Sequence, residues 1–464
     1  MAQPPNILYI HSHDTGRHVQ PYGFQVPTPN MQLLADQGVL FREAFCGAPT
    51  CSGSRATLLT GQYCHNNGMV GLAHRGWSLN DYREHLVHPL REGAGYRSVL
   101  IGEQHISKDP AVIGYDDVIE VDSHHADEVA PIAIETLRTT AEPFFMSVGF
   151  FETHRDFEVP TSVRDTLYSL PPDHLPDTAA TRADMASFKA SARSLDQGIG
   201  AVLNGLHHFG LNERTLIICT TDHGLAFPNA KATLYDHGIG VMMIMRGPAG
   251  FTGGRVVDAL VSQLDIYPTL MEVAGVEPPH FLQGKSMMPL IRRETDRLHD
   301  EIFAEVTYHA AYEPQRCVRT DRWKYIRRFG DYPSTVLSNC DDSATKEVLV
   351  QAGWGEQLVP KEQLYDLLLD PAEARNLLDS PGHGEVVATM RARLDDWMES
   401  TDDPILDGDV PAPAGAEINL PSQGSSREPR VFVAEDGSYV DGPPALEPRS
   451  AELDEAEAIR GQIR

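Results

Sequence analysis

Four apolar runs in this chain end in the same way, in a cluster of polar side chains able to do chemistry. Ile7-Leu8-Tyr9-Ile10 leads into His11-Ser12-His13-Asp14, and Ser98-Val99-Leu100-Ile101-Gly102 into Glu103-Gln104-His105. Phe144 to Phe151 leads into Glu152-Thr153-His154-Arg155, and Leu216 to Thr220 into Thr221-Asp222-His223-Gly224. Short continuous apolar runs fit strands buried on both faces. Helical stretches lie between them. Thr28-Pro29 opens one that ends near Gly38; others run from about Ala126 to Ala141 and from about Thr181 to Phe209, the last stopped by Gly210. Strands alternating with helices predict an α/β fold with a large, mostly parallel central sheet flanked by helices. Such sheets place their sites at the carboxyl ends of the strands. The four clusters are therefore expected to converge on one cleft.

From residue 300 the texture changes. Glu301 to Val306, Gln315 to Thr320 and Trp323 to Arg328 read as short strands of a small antiparallel sheet, followed by a helix from about 383 to 399. Beyond Thr401 the chain is rich in Pro, Gly, Ser and acidic residues, which predicts an extended tail. The expected units are a catalytic α/β domain over 1–298, a smaller α+β subdomain over 299–400 and the tail over 401–464. No internal repeat is evident.

The 464 residues, 41% of them hydrophobic, can bury a large core, and no apolar run reaches membrane-spanning length. No secretory signal is read at the start, and the six cysteines at 46, 51, 64, 219, 317 and 340 do not have the spacing of a disulfide framework. Together these point to the cytoplasm. The net charge of -28 argues against a nucleic-acid partner and against long polyanions. A small anionic substrate is compatible, because a few fixed positive groups and a metal outweigh a distant, salt-screened field. Assembly into a homo-oligomer is left open.

His13 and Asp14 at one strand end and Asp222 and His223 at another form a candidate metal set. Hard cations favour oxygen donors; added imidazoles suit manganese or zinc better. A turn that merely ends a strand would use the same residues. Pro49-Thr50-Cys51-Ser52-Gly53-Ser54-Arg55, followed by Leu58-Leu59-Thr60-Gly61, marks a loop entering a helix. A helix start offers unpaired N–H groups and the positive end of a dipole, which attract an anion and lower a cysteine's pKa. Arg55 adds a forked, charge-assisted grip on tetrahedral oxygens. An ordinary helix start with a buried cysteine would look similar.

Cys51, Ser54, Arg55 and Thr60-Gly61 resemble the signature of the type I sulfatases, of the alkaline-phosphatase-like superfamily. Pro27 to Asn30, Leu195 to Gly200, Leu364 to Leu367, Asp370-Pro371 and Asn376-Leu377 extend the resemblance over most of the chain. His65 to Met69 and Gly71-Leu72 are nearest in texture to the sulfamidase (heparan N-sulfatase) branch. The resemblance implies a metal-dependent hydrolase of sulfate esters or sulfamates. Cys51 would be converted to formylglycine by a formylglycine-generating enzyme and would attack sulfur. Arg55 and Lys231 would stabilise charge on the transferring group, His154 would be the general acid, and His105 would help eliminate sulfate. His13, Asp14, Asp222, His223 and Cys51 would hold one divalent metal, calcium by family habit. Loops at His74 to Tyr82 and 155–180, the residues around Arg316 and Arg319, and the tail are expected to set specificity.

Three positions depart from the family pattern. Gly53 stands where the family has proline, His13 where it has aspartate, and Glu103 where it has lysine. The last two cancel in charge, which suggests that Glu103 supplies near the metal the negative charge His13 does not. Two other readings stay open: a phosphonate monoester or phosphodiester hydrolase on the same site, and an inactive anion-binding homologue. His124-His125 and His207-His208 read as surface pairs.

Overall fold

The computed structural model describes residues 4–441. Its centre is an eight-stranded sheet: β1 (Asn6–Ser12), β2 (Val39–Phe41), β3 (Arg97–Gly102), β4 (Asp117–Ile119), β5 (Phe144–Gly149), β6 (Thr215–Thr221), β7 (Met243–Arg246) and β8 (Arg255–Val257). The spatial order is β4-β3-β5-β1-β6-β7-β2-β8. Every neighbouring pair is parallel except the two that β7 makes, with β6 and β2. β1, β5 and β6 are buried at every residue, because helices cover both faces. This is why their sequences lack the alternation of a half-exposed strand.

Helices α1 (Pro29–Gln37), α2 (Cys51–Thr60), α3 (Ala126–Thr139) and α4 (Ala179–His208) flank the sheet. α4 starts at Thr178, whose hydroxyl caps Thr181 N–H while the Thr181 side chain returns the bond. One core cluster lies between the sheet and α1, α3 and α4, through Leu8, Ile10, Val148, Leu195 and Val202; the other lies on the α2 side, through Ile7, Tyr9, Phe145 and Leu58.

The second sheet is antiparallel, with β9 (Glu301–Tyr308), β10 (Tyr312–Thr320), β11 (Trp323–Arg328) and β12 (Glu362–Asp366) in sequential order. Helix α5 (Gly384–Ser400) packs on it through Leu394, Trp397 and Met398. The stretch expected to be an extended tail carries a small three-stranded sheet, β13 (Glu417–Ile418), β14 (Val431–Val433) and β15 (Tyr439–Asp441). A bridge from Ala311 to Asn419 and a hydrogen bond from Arg75 to Asn419 hold it down. The rest of that stretch, 442–464, lies outside the described residues. Among the described residues no helix is long and apolar enough to cross a membrane.

Candidate active site

The four strands with polar endings are consecutive in the sheet, as β3-β5-β1-β6. Register aligns the endings: His11 pairs with Gly149 on one side and Thr220 on the other, and Gly102 pairs with Gly149. Beyond the strands the backbone stays knitted. His13 N–H donates to Glu152 O at 3.0 Å and Thr153 N–H to His13 O at 2.7 Å. The clusters therefore share one floor, as the alternation of strands and helices anticipated.

At the centre, Asp14 N–H donates to Asp222 Oδ1 at 2.8 Å, and His13 Nδ1 lies 2.9 Å from Asp222 Oδ2. Asp14 has a φ of 51°, left-handed backbone that a non-glycine residue adopts only when its surroundings enforce it. His105 has the same feature, with a φ of 55°. Donor atoms of His13, Asp14, Cys51 and Asp222 lie within 4.8 Å of one another, and all four residues are buried. Asp14 Oδ1 and His13 Nδ1 are buried and make no well-aligned hydrogen bond, their near neighbours being their charged partners, His223 Nε2 and Asp222 Oδ2 respectively. Buried polar atoms left so poorly satisfied are costly unless something binds them. A divalent metal, the group the resemblance implies, therefore fits this set. His223 stands beside the four rather than among them: its Nε2 is 3.2 Å from Asp14 Oδ1 and 3.4 Å from Cys51 Sγ.

Cys51 is the first residue of α2, a helix buried along its whole length. Its Sγ stands where the oxygens of a formylglycine would be. Burial opposes ionisation of the thiol, but Lys231 and His223 hold its pKa well below the ordinary cysteine value. Ser54 Oγ donates to Asp222 O and to Gln263 Oε1, pinning α2 to the end of β6. Gly53 lacks the space for a larger residue. A Cβ there would stand 2.8 Å from Thr50 Oγ1, 3.0 Å from Cys64 Sγ and 3.1 Å from Ala48 Cβ. Thr50 and Cys64 thus fill the place that the family's proline would need.

Arg55 is buried and both its terminal nitrogens are engaged, while Nε has no partner. It donates to Ser12 O at 3.0 Å and Asp222 Oδ2 at 3.1 Å, and a third bond joins it to His11 Nδ1. In this arrangement it neutralises Asp222. Lys231 Nζ lies 2.9 Å from Asp14 Oδ2, 3.1 Å from Asp341 Oδ2 and 3.2 Å from His154 Nε2. Burial pushes its pKa down, yet Asp14 and Asp341 keep it well above the ordinary lysine value. His154 Nδ1–H donates to Arg155 O at 2.6 Å, which leaves Nε2 to accept from Lys231. His105 Nε2 pairs with His74 Nδ1 at 2.7 Å, and His105 forms a compact trio with His13 and Cys51.

Several residues joined the site without a clear sequence signal. His11 binds Arg55 and, at 3.1 Å, Ser147 Oγ. His309 and Asp341 come from the second unit, His309 against Cys51 and Asp341 on Lys231. His124 and His125 lie at the surface as expected, their side chains 41% and 52% exposed, and each also pairs with an acid of the site. His124 Nδ1 is 2.8 Å from Glu103 Oε2, and His125 Nδ1 is 3.0 Å from Glu152 Oε1, because β5 and the start of α3 meet there. His207 and His208 are exposed at the end of α4. Arg316 and Arg319, in the region expected to set specificity, are themselves buried in ion pairs. Arg316 is enclosed by Asp403 and Glu305, and Arg319 is paired with Glu43 and Asp236.

Comparison with known proteins bears on family and fold. A family model described as Sulfatase matches residues 5–276, and one described as N-sulphoglucosamine sulphohydrolase, C-terminal, matches 223–346. The N-sulphoglucosamine sulphohydrolase of Homo sapiens is 28% identical over 462 positions, spanning 87% of this chain and 91% of that protein. A solved 2-O GAG sulfatase superposes with a TM-score of 0.70 at 23% identity, over 87% of this chain and 94% of its own. The phosphonate monoester hydrolase of Silicibacter pomeroyi superposes with a TM-score of 0.64 at 19% identity, over 86% of this chain and 96% of its own.

Proposed function

The chain belongs to the sulfatase family and is a sulfuric ester hydrolase, and from that premise we propose that it cleaves a sulfate ester or sulfamate bond of a small anionic substrate after Cys51 is converted to formylglycine. The observation that carries this reading is the convergence of Cys51 with His13, Asp14 and Asp222 on one side and Lys231, His154 and His105 on the other.

Formylglycine, once hydrated, supplies an oxygen nucleophile and a route for releasing sulfate from the adduct. A divalent metal held by His13, Asp14, Asp222 and residue 51 supplies Lewis-acid stabilisation of sulfate oxygens. Calcium is the family habit, but the imidazoles of His13 and His223 suit manganese or zinc. Lys231 balances negative charge on the transferring group from a water-poor position, where a fixed cation acts strongly. His154, with Nδ1–H anchored on Arg155 O, would be the general acid, delivering a proton from Nε2 to the leaving oxygen or nitrogen. His105, oriented by His74, takes the proton whose loss releases sulfate. Arg55 holds Asp222 in its ionised state and in place. Six unpaired cysteines, five of them buried, support a reducing compartment, the cytoplasm.

A second reading rests on His223. An imidazole 3.4 Å from Cys51 Sγ, beside the metal set, also suits a phosphonate monoester or phosphodiester hydrolase. Sulfate and phosphate esters are both tetrahedral, so turnover must separate them. Matched aryl sulfate, N-sulfo glucosamine and aryl phosphodiester substrates are compared by kcat/KM. Faster turnover of either sulfo compound supports the proposal; preference for the phosphodiester supports the second reading. No turnover of any of them, with the fold intact, leaves the anion-binding homologue.

A further inference from the structure

A second cluster of metal-ligating side chains lies outside the catalytic set. Asp173, His174 and His237 each offer one donor atom, and the three atoms lie within 4.8 Å of one another. His174 Nε2 is 3.1 Å from Pro228 O, so this nitrogen carries the hydrogen and Nδ1 presents a bare lone pair. That Nδ1 is buried and has no partner. His237 Nε2 is likewise buried without a hydrogen-bond partner, although it stands 3.4 Å from Asp173 Oδ1. The two rings lie 3.9 Å apart. The side chain of His237 is 17% exposed and that of Asp173 is 68% exposed. The cluster thus runs from a sheltered base to an open edge, on the wall of a cavity of about 570 Å³.

Three features suit a borderline divalent cation rather than calcium or magnesium. Two of three donors are imidazoles, which calcium and magnesium take poorly. His174 donates its other ring N–H to a backbone carbonyl, the usual orientation for a ligating histidine. The open edge leaves room for a solvent ligand to complete four-coordination. From this geometry we infer that Asp173, His174 and His237 form a zinc-class metal site separate from the catalytic one.

Its consequence follows from what the three residues join. His174 reaches Pro228, in the loop that also carries Lys231. His237 lies in the short helix Asp236–Ile239, where Gly238 O accepts Gly224 N–H next to His223. A cation there would clamp the 171–178 segment to both flanks of the Lys231 loop. The inference is independent of the proposed reaction.

The test uses the full chain, stripped with a chelator and then titrated with Zn2+. Bound zinc per chain and thermal midpoint are read for the wild type and for His174→Gln/His237→Asn. The expected result is one zinc more per wild-type chain than per variant chain, with a zinc-dependent rise in midpoint that the variant lacks. Equal zinc content and equal midpoint response overturn the inference. Should the double variant not fold, Asp173→Asn serves, since its side chain is mostly exposed. It should weaken zinc binding at this site about tenfold or more; unaltered affinity overturns the inference.

Discussion

Glu103 Oε2 lies 3.9 Å from His13 Nε2, while the other nitrogen of that ring faces Asp222. His13 replaces the aspartate and Glu103 the lysine of the family pattern, and here the two replacements are neighbours. Burial would raise the Glu103 pKa, but His124 and then His13 hold it well below the usual carboxylate range. An ionised carboxylate behind a ligating imidazole orients the ring and makes it a better donor. Glu103→Gln is expected to weaken metal binding about 10- to 100-fold, and Glu103→Lys to weaken it more. Competition against a chelating dye measures this. Retained affinity in Glu103→Lys would show that the two departures are unconnected.

Gly53 and Cys64 are matched in shape. Gly53→Ala is expected to cost about 1–3 kcal/mol through overpacking against Thr50 and Cys64. Adding Cys64→Ala should restore part of that loss, because Sγ is one of the two closest obstacles. Denaturant midpoints of the two single variants and the double variant form the cycle. Strict additivity would mean that the two residues do not constrain each other.

Arg316 is enclosed, with Asp403 on two of its nitrogens and Glu305 at 3.3 Å. Replacing it by methionine takes the charged partner from buried Asp403 and leaves buried Glu305 with His65 alone. Such a loss is expected to cost about 3–5 kcal/mol. Because Asp403 follows α5 while Glu305 lies in β9, the damage should appear as loosening of 401–410 by hydrogen exchange. Unchanged protection there would count against the pairing.

His85 is fully buried, and burial, then His88, lowers its pKa to about 3 from an ordinary 6.5. Below pH 6.5 the unfolded chain binds a proton that the folded chain refuses until about 3. This contribution to stability is therefore complete above pH 6.5 and lost progressively below it. The expected slope from His85 is about 1.4 kcal/mol per pH unit. Urea titrations between about pH 7 and about pH 5 should show a shallower decline in His85→Gln than in the wild type. Parallel declines would sink this assignment.

Much of this architecture could be read from the chain, for physical reasons. β1, β3, β5 and β6 are buried on both faces, so each shows as an unbroken apolar run, and its abrupt polar ending marks the cleft. His309 and Asp341 gave no such signal, because a loop residue of the second unit meets the cleft only through tertiary packing. His11 was passed over because a histidine inside a strand ending looks like filler until Arg55 is placed against it. That Arg316 and Arg319 are buried in ion pairs has no local sequence signal. The acids that bury them, Glu305, Asp403, Glu43 and Asp236, are scattered through the sequence. The folded part of the acidic tail escaped notice because strands of two or three residues leave no periodicity.

The proposed chemistry depends on the chemical state of residue 51. Tandem mass spectrometry of the tryptic peptide Glu43–Arg55, from protein made in its native host, reads that state directly; fragmentation separates Cys51 from Cys46 in the same peptide. Formylglycine at 51 and an intact thiol at 46 are expected. An unmodified Cys51 in protein that hydrolyses its substrate would contradict the proposed chemistry.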